Sequence, residues 1–282
     1  MFVLIGILVV FGSVIGGYML HGDIAVLWQP GEFLIIGGAA IGSFLIANPL
    51  SVVKQTIAGV LGTLKGAKVS KKSYIELLQM LYEIFQYAKR EGLIALESHV
   101  EDPKSSSIFS KYPSFLANHH AVEFLTDTLK TLLSGGVPAH DLEELMDLDI
   151  EALHEEESVP PAAIQVVSDA FPGLGIVAAV LGIITTMGAI NQGAAVVGEK
   201  VAAALVGTFL GILLSYGLVG PIASNVAYNV GKESRYILAI KASVLSFAKG
   251  APASVAIEYG RRTIDPSNRP TFKETEEAVK KG

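Results

Sequence analysis

The sequence predicts an all-α, polytopic membrane protein with four transmembrane helices and a helical cytoplasmic domain. Three observations lead there. Apolar residues make up 51% of the 282 positions and charged ones 17%, with a mean hydropathy of +0.50, which is too apolar for an ordinary soluble domain. Four long stretches, residues 1–20, 33–50, 174–190 and 201–219, contain no Asp, Glu, Lys or Arg. The intervening and following segments carry the charge and show apolar residues at helical spacing.

At ~1.5 Å rise per residue the first stretch spans about 30 Å, one hydrocarbon thickness. A cleaved signal peptide would open on a basic region, yet the first basic residue is Lys54, so the stretch reads as a span. The connection 21–32 has no Lys or Arg; Trp28 suits an interfacial anchor and Pro30 helps end the loop. Residues 23–30 either lie against the membrane surface or form a solvated hairpin. Lys54, Lys65 and Lys68 closely follow the second stretch, where basic residues weigh most on orientation. Residues 51–171 hold 10 Lys/Arg and residues 221–282 hold another 10, whereas the loop 191–200 holds Lys200 alone. Both large segments are therefore expected in the cytoplasm, with both termini on that side. The division is 1–50 (two spans), 51–171 (cytoplasmic helical domain), 172–220 (two spans) and 221–282 (cytoplasmic helical tail).

Within 51–171, residues 73–88 place Leu77, Leu78, Leu81, Ile84, Phe85 and Ala88 on one helical face. Gly92 interrupts, and the run LIALESHV follows. Residues 121–133 form another amphipathic helix through Phe124, Leu125, Leu129 and Leu132, and residues 141–153 a third, where Asp141 and Glu144 resemble a capping box. Lys89, Arg90, Glu91 and Glu97 flank Gly92 and read, on composition, as a solvated face.

Every span carries small residues four apart, including Gly12/Gly16, Gly38/Gly42, Gly175/Ala179, Ala178/Gly182 and Gly207/Gly211, as close helix packing in lipid requires. The last two spans add Thr185, Thr186, Thr208, Ser215 and Tyr216. Their hydroxyls either line a wet path or bond their own helix carbonyls. Self-bonding is the expectation for Ser215 and Thr185, while Thr208, between Gly207 and Gly211, stays open. Pro172 and Pro221 mark the inner ends of these spans, as plain boundaries or as hinges.

Net charge −6 and pI ≈ 5.5 argue against nucleic acid as a partner, and the absence of Cys excludes disulfides and thiolate metal sites. The six His lack companion ligands at metal spacing, and no phosphate loop, nucleophile elbow or catalytic carboxylate pair is present. No enzyme activity, cofactor or metal is expected.

The strings FPGLGIVAAVLG (171–182), VGTFLGILLSYG (206–217), QPGEF (29–33) and AIEYGRR (256–262) resemble the flagellar motor stator A subunits, the MotA family of the MotA/TolQ/ExbB superfamily. The resemblance covers nearly the whole chain. It implies a subunit of the bacterial inner membrane that forms a homo-oligomer, a five-fold ring, around a MotB-type B subunit. That partner carries the ion-binding aspartate, and ion flux turns the ring against a FliG-type rotor switch protein. Carried over residue by residue, the rotor-facing charges fall on Lys89 or Arg90 and on Glu97, and the two functional prolines on Pro172 and Pro221. Ala179 and Thr208 fall on the ion path. A further loop acid is Asp149, Glu151 or Glu155. Sodium-driven relatives tend to carry threonine where this chain has Ala179, so the resemblance favours a translocated proton over sodium; Thr208 does not discriminate. Two rival readings are a TolQ/ExbB-type energiser of envelope transport, whose members usually have three spans, and a non-conducting membrane scaffold.

Overall fold

In lipid a backbone polar group has no water to bond, so a spanning segment must close its hydrogen bonds within a helix. The computed structural model describes residues 2–65 and 69–281, and every regular element among them is helical. In chain order the helices are α1 (Phe2–Met19), α2 (Ile24–Leu27), α3 (Pro30–Ala47), α4 (Leu50–Lys65), α5 (Lys71–Glu91), α6 (Glu97–Glu101), α7 (Pro113–Leu116) and α8 (His119–Ser134). They continue as α9 (Ala139–Met187), α10 (Ala194–Leu214), a π-helical turn Ser215–Val219, α11 (Gly220–Ala248), α12 (Ala253–Thr263) and α13 (Phe272–Lys281). Four helical segments, Phe2–Met19, Ile24–Ala47, Ala139–Met187 and Ala194–Ala248, are long and apolar enough to cross a membrane. Lys68 and the side chain of Lys65, two of the residues expected to orient the second span, lie outside the described residues.

The chain divides into two compact units, residues 1–67 with 157–229 and residues 68–156 with 230–282. In the first, α1 buries no residue, as expected of a helix whose surroundings are as apolar as its side chains. α3 starts earlier than the apolar run, at Pro30, whose fixed φ and missing N–H suit the first helical position. Pro30 thus ends the loop, as expected, by opening a helix, and Glu32 belongs to the first turn of α3. Ile36 and Ala40 of α3 pack with Phe171, Ala178, Val206 and Leu210.

The second unit has a water-excluding core. α5 begins with a reciprocal cap, in which the Ser73 N–H donates to the Ser70 hydroxyl and the Ser70 N–H to the Ser73 hydroxyl. Leu77, Leu78, Leu81, Ile84 and Phe85 of α5 are at most 1% exposed, against Ile237, Ile240 and Val244 of α11 and Phe124, Leu125 and Leu129 of α8. The AIEYGRR segment is α12 and serves this packing. Ala256 and Ile257 are buried, and a Cβ on Gly260 would meet the Ala239 carbonyl of α11 at 2.6 Å, so only glycine allows that approach. Arg261 binds both Glu258 carboxylate oxygens, at 2.6 and 2.8 Å, and donates to the Pro270 carbonyl at 2.9 Å, tying α12 to the turn before α13.

Two local expectations are corrected. α9 begins at Ala139, two residues before Asp141, which pairs with His140 at 2.9 Å instead of forming a capping box with Glu144. Pro160, Pro161 and Pro172 all lie inside α9, so Pro172 is not a helix end.

Candidate functional site

Small side chains decide how closely α9 and α10 approach. A Cβ on Gly175 of α9 would lie 2.8 Å from the Gly207 carbonyl, and one on Gly211 of α10 would lie 2.5 Å from the Phe171 carbonyl. One on Gly182 would meet the Ala204 Cβ at 2.6 Å. Three of the expected pairs, Gly175/Ala179, Ala178/Gly182 and Gly207/Gly211, thus form a real seam. A Cβ built on Gly12, Gly16, Gly38 or Gly42 meets no atom beyond its own helix backbone within 4 Å among the described residues.

Ala179 and Thr208 both lie along the seam. The Ala179 N–H lies 3.3 Å from the position of a Gly207 Cβ, and the Thr208 Cα is 3.3 Å from that of Gly175. Both residues are half-buried. The hydroxyls sort by their bonds: Thr185 and Thr186 both donate to the Gly182 carbonyl at 2.8 Å, whereas Thr208 makes no hydrogen bond within the described residues. A free hydroxyl beside a half-buried seam is available to a transient ligand. Ser215 departs from expectation, because its carbonyl accepts from the Ser168 hydroxyl across the helix pair at 3.1 Å, with the two hydroxyl oxygens 3.3 Å apart.

That Ser168–Ser215 bridge sits between the two prolines. Pro172 lacks the N–H that would bond the Ser168 carbonyl, and Pro221 lacks the one that would bond Gly217. The π-helical turn 215–219 absorbs the second defect: the Gly220 N–H reaches back to the Ser215 carbonyl, and the ladder is regular again in α11. The structure therefore places Pro172 about one turn and Pro221 less than two turns from one inter-helix contact. Ser168, four residues before Pro172, was missed from sequence; the proline itself was the available signal.

Sequence reasoning also missed Glu32, counted as the end of a loop. It is 9% exposed, and its Oε2 has no hydrogen-bond partner among the described residues. A Cβ on Gly207 would lie 2.6 Å from that oxygen. The signal was Pro30, which starts the helix and makes Glu32 its third residue.

In the second unit, Lys89 and Arg90 are exposed in the last turn of α5. Gly92, at φ 90°, turns the chain, a conformation open to glycine and costly for other residues. Leu96 and Val100 are buried and anchor the far side, leaving Glu97 exposed at the start of α6 and Ile94 78% exposed between the charges. The Ser106 hydroxyl accepts from the Ile108 and Phe109 N–H groups, leaving its proton to donate to His99 Nδ1 at 2.8 Å. This bond holds α6, and with it Glu97, against the following loop. Arg90 pairs with Glu91 at 2.8 Å, whereas Lys89 and Glu97 make no ion pair within the described residues. Asp149, Glu151 and Glu155 are all exposed on α9, and partial desolvation, with Asp127 and Glu123 nearby, raises the Asp149 carboxyl above its ordinary value. Among the described residues no cluster of three or more His, Cys, Asp or Glu could hold a metal ion.

An apolar four-span unit with a glycine seam and a compact helical unit together define the class as a polytopic α-helical membrane protein. Residues 117–237 match the model of the MotA/TolQ/ExbB proton channel family, and residues 4–92 match that of the motility protein A N-terminal region. The chain belongs to the motility protein A family, the A-type stator subunits of the flagellar motor. It is 38% identical over 281 residues to motility protein A of Salmonella typhimurium, covering 99% of this chain and 95% of that one. It is 39% identical over 273 residues to the chemotaxis protein LafT of Vibrio parahaemolyticus, covering 96% of each. The fold resembles a chain of the solved C. jejuni MotAB structure at TM-score 0.76 and 20% identity, covering 94% of this chain and 97% of that one. A chain of the Bacillus subtilis flagellar MotAB stator complex matches at TM-score 0.69 and 26% identity, covering 90% and 92%.

Proposed function

We propose that this subunit, in a bacterial inner membrane with both termini cytoplasmic, assembles as a five-fold ring around a MotB-type partner. Proton flow through the pair then turns the ring against a FliG-type rotor switch protein. The observation that carries the reading is the α9–α10 seam, which bears Ala179 and an unbonded Thr208 hydroxyl in a chain that matches motility protein A over its full length. No span bears a charge at mid-depth, so the partner supplies the carboxylate that takes the ion there. Each proton falling through the field releases about 2.3 kcal/mol per 100 mV, several times RT and enough to bias one step of a ring. Protonation cancels the partner's charge and changes how it packs against Ala179 and Thr208 of successive subunits. Pro172 and Pro221, on either side of the Ser168–Ser215 bridge, are where a change in the seam bends the helices. Lys89, Arg90 and Glu97 meet charges of opposite sign on the rotor.

Ala179 offers no side-chain oxygen to replace a sodium ion's water, which favours protons; swimming that is independent of external sodium at fixed pH is the expected result. The match to the motility-specific N-terminal model, together with four spans, favours this reading over a TolQ/ExbB-type energiser. The main test is co-expression with a MotB-type partner in cells lacking their own stator. Wild type restores swimming. Glu97→Lys accumulates normally in the membrane but loses most motility, since charge steering depends on sign. Reversing the opposing rotor charge restores it. A Glu97→Lys strain that swims like wild type overturns the rotor-facing assignment.

A further inference from the structure

Glu32 does none of the work assigned above, and its surroundings are unusual for a carboxylate. It is the third residue of α3, the position from which a glutamate commonly reaches back to the backbone N–H of the capping residue. That bond is absent, and Gln29 caps nothing with its side chain. The side chain is instead 9% exposed and carries an Oε2 without a donor among the described residues. Where that oxygen lies is given by Gly207: a Cβ there would be 2.6 Å from Oε2, 3.1 Å from the Ala178 Cβ and 3.3 Å from the Ala179 nitrogen. The carboxylate therefore rests against the backbone of α10 one residue before Thr208, facing the stretch of α9 that carries Ala179. Counted from the start of the charge-free stretch at Val201, Gly207 is six residues in, ~9 Å along the helix at ~1.5 Å per residue. Glu32 enters from the outer end of the second span and stops at this level.

A carboxylate buried among apolar groups without a donor is costly as a bare anion, and the cost is removed by a proton or a bound cation. Ionisable groups inside membrane segments mark ion pathways far more often than they serve packing. We propose that Glu32 is a second ion-binding carboxylate, resident in this subunit, which takes the translocated proton between the outer mouth and the level of Ala179 and Thr208. The step is association of a proton with the carboxylate and its release toward the seam, with no bond to carbon changed and no redox partner needed. The proposal rests on the stator reading. It differs in that the ring itself, not only its partner, holds a proton site.

The test uses the full-length chain co-expressed with a conducting MotB-type partner, reading proton influx from intracellular pH after an imposed membrane potential, normalised to assembled complex. No influx in wild type sinks the stator reading, and this inference with it. Given wild-type influx, Glu32→Gln, equal in size but unable to ionise, is expected to fall at least tenfold per complex. Glu32→Asp, which keeps the carboxylate, is expected to recover several-fold over Glu32→Gln. Wild-type influx in Glu32→Gln, or Glu32→Asp no better than Glu32→Gln, overturns the proposal. So does failure of Glu32→Gln alone to assemble, which would assign the carboxylate to packing.

Discussion

Leu77, Leu81 and Phe85 of the second unit are at most 1% exposed, whereas Leu8, Leu34 and Ile46 of the first are 72%, 76% and 89% exposed. Both units are helical and both are rich in large aliphatic side chains. The difference lies in what each expects as solvent. Burying apolar area away from water stabilises the second unit by about 25 cal/mol per Å², so its helices turn their apolar stripes inward. Lipid removes that driving force, so the first unit keeps its large side chains outside and draws α9 and α10 together over glycine and alanine. Polar groups follow the same logic. The second unit spreads ion pairs over its surface, such as Lys71–Glu274 at 2.8 Å and Lys249–Glu143 at 3.1 Å. The first unit leaves a carboxylate oxygen of Glu32 buried and unpartnered.

The sharpest way to break this comparison is to truncate one aliphatic or aromatic group in each unit. Phe85, fully buried and stacked on Phe247 with centroids 4.4 Å apart, is expected to cost about 3–5 kcal/mol as Phe85→Ala. Hydrogen exchange of α5 amides in the purified chain would register the loss. Ile46→Ala, at an 89% exposed site, should change local stability by less than about 0.5 kcal/mol. Comparable losses at both sites would show that the first unit also relies on large-side-chain burial.

A smaller effect is expected from a charge network. The Arg261 hydrogen bonds, offset in part by burial and reinforced by Arg262, hold the Glu258 carboxyl down to about 2 from 4.5. Because the folded value is depressed, its contribution is complete above about pH 4.5 and disappears as pH falls toward 2. Charge-assisted bonds of this kind contribute about 1.5–3 kcal/mol. Glu258→Gln should destabilise the second unit at neutral pH and flatten that acid-induced decline. An unchanged acid transition in the variant would show that Glu258 does not set it.

The seam gives the comparison its mildest probe. Gly211→Ala places a Cβ 2.5 Å from the Phe171 carbonyl and 3.0 Å from the Gly175 Cα, a backbone clash that side-chain rotation cannot relieve. Such overpacking costs about 1–3 kcal/mol. Recovery of intact complex in detergent should drop, while Gly12→Ala, which meets nothing within the chain, should leave the single chain's packing unchanged. A fall for Gly12→Ala in complex recovery alone would locate a contact between subunits at α1.

Much of this was readable in advance where one physical signal dominates. Uninterrupted apolar runs announced the spans, and the 3.6-residue period at Leu77, Leu81 and Phe85 announced α5 and its core face. The turn at Gly92, with Lys89 and Glu97 on either side, was legible because glycine there reports a positive φ. Pro172 misled where it was read as a helix boundary: α9 runs through it, since neighbouring groups compensate for a missing N–H.

By itself, then, the sequence determined the class of solvent each segment would meet, the four crossings and the periodic core of the second unit, because these depend on local composition and spacing. Which glycines touch, how the π-helical turn absorbs Pro221, and where Glu32 comes to rest were decided only by tertiary structure. Those depend on which backbone lies opposite which residue. A carboxylate three residues into a helix is an ordinary first-turn acid until Gly207, far away in the chain, leaves it the space to be buried.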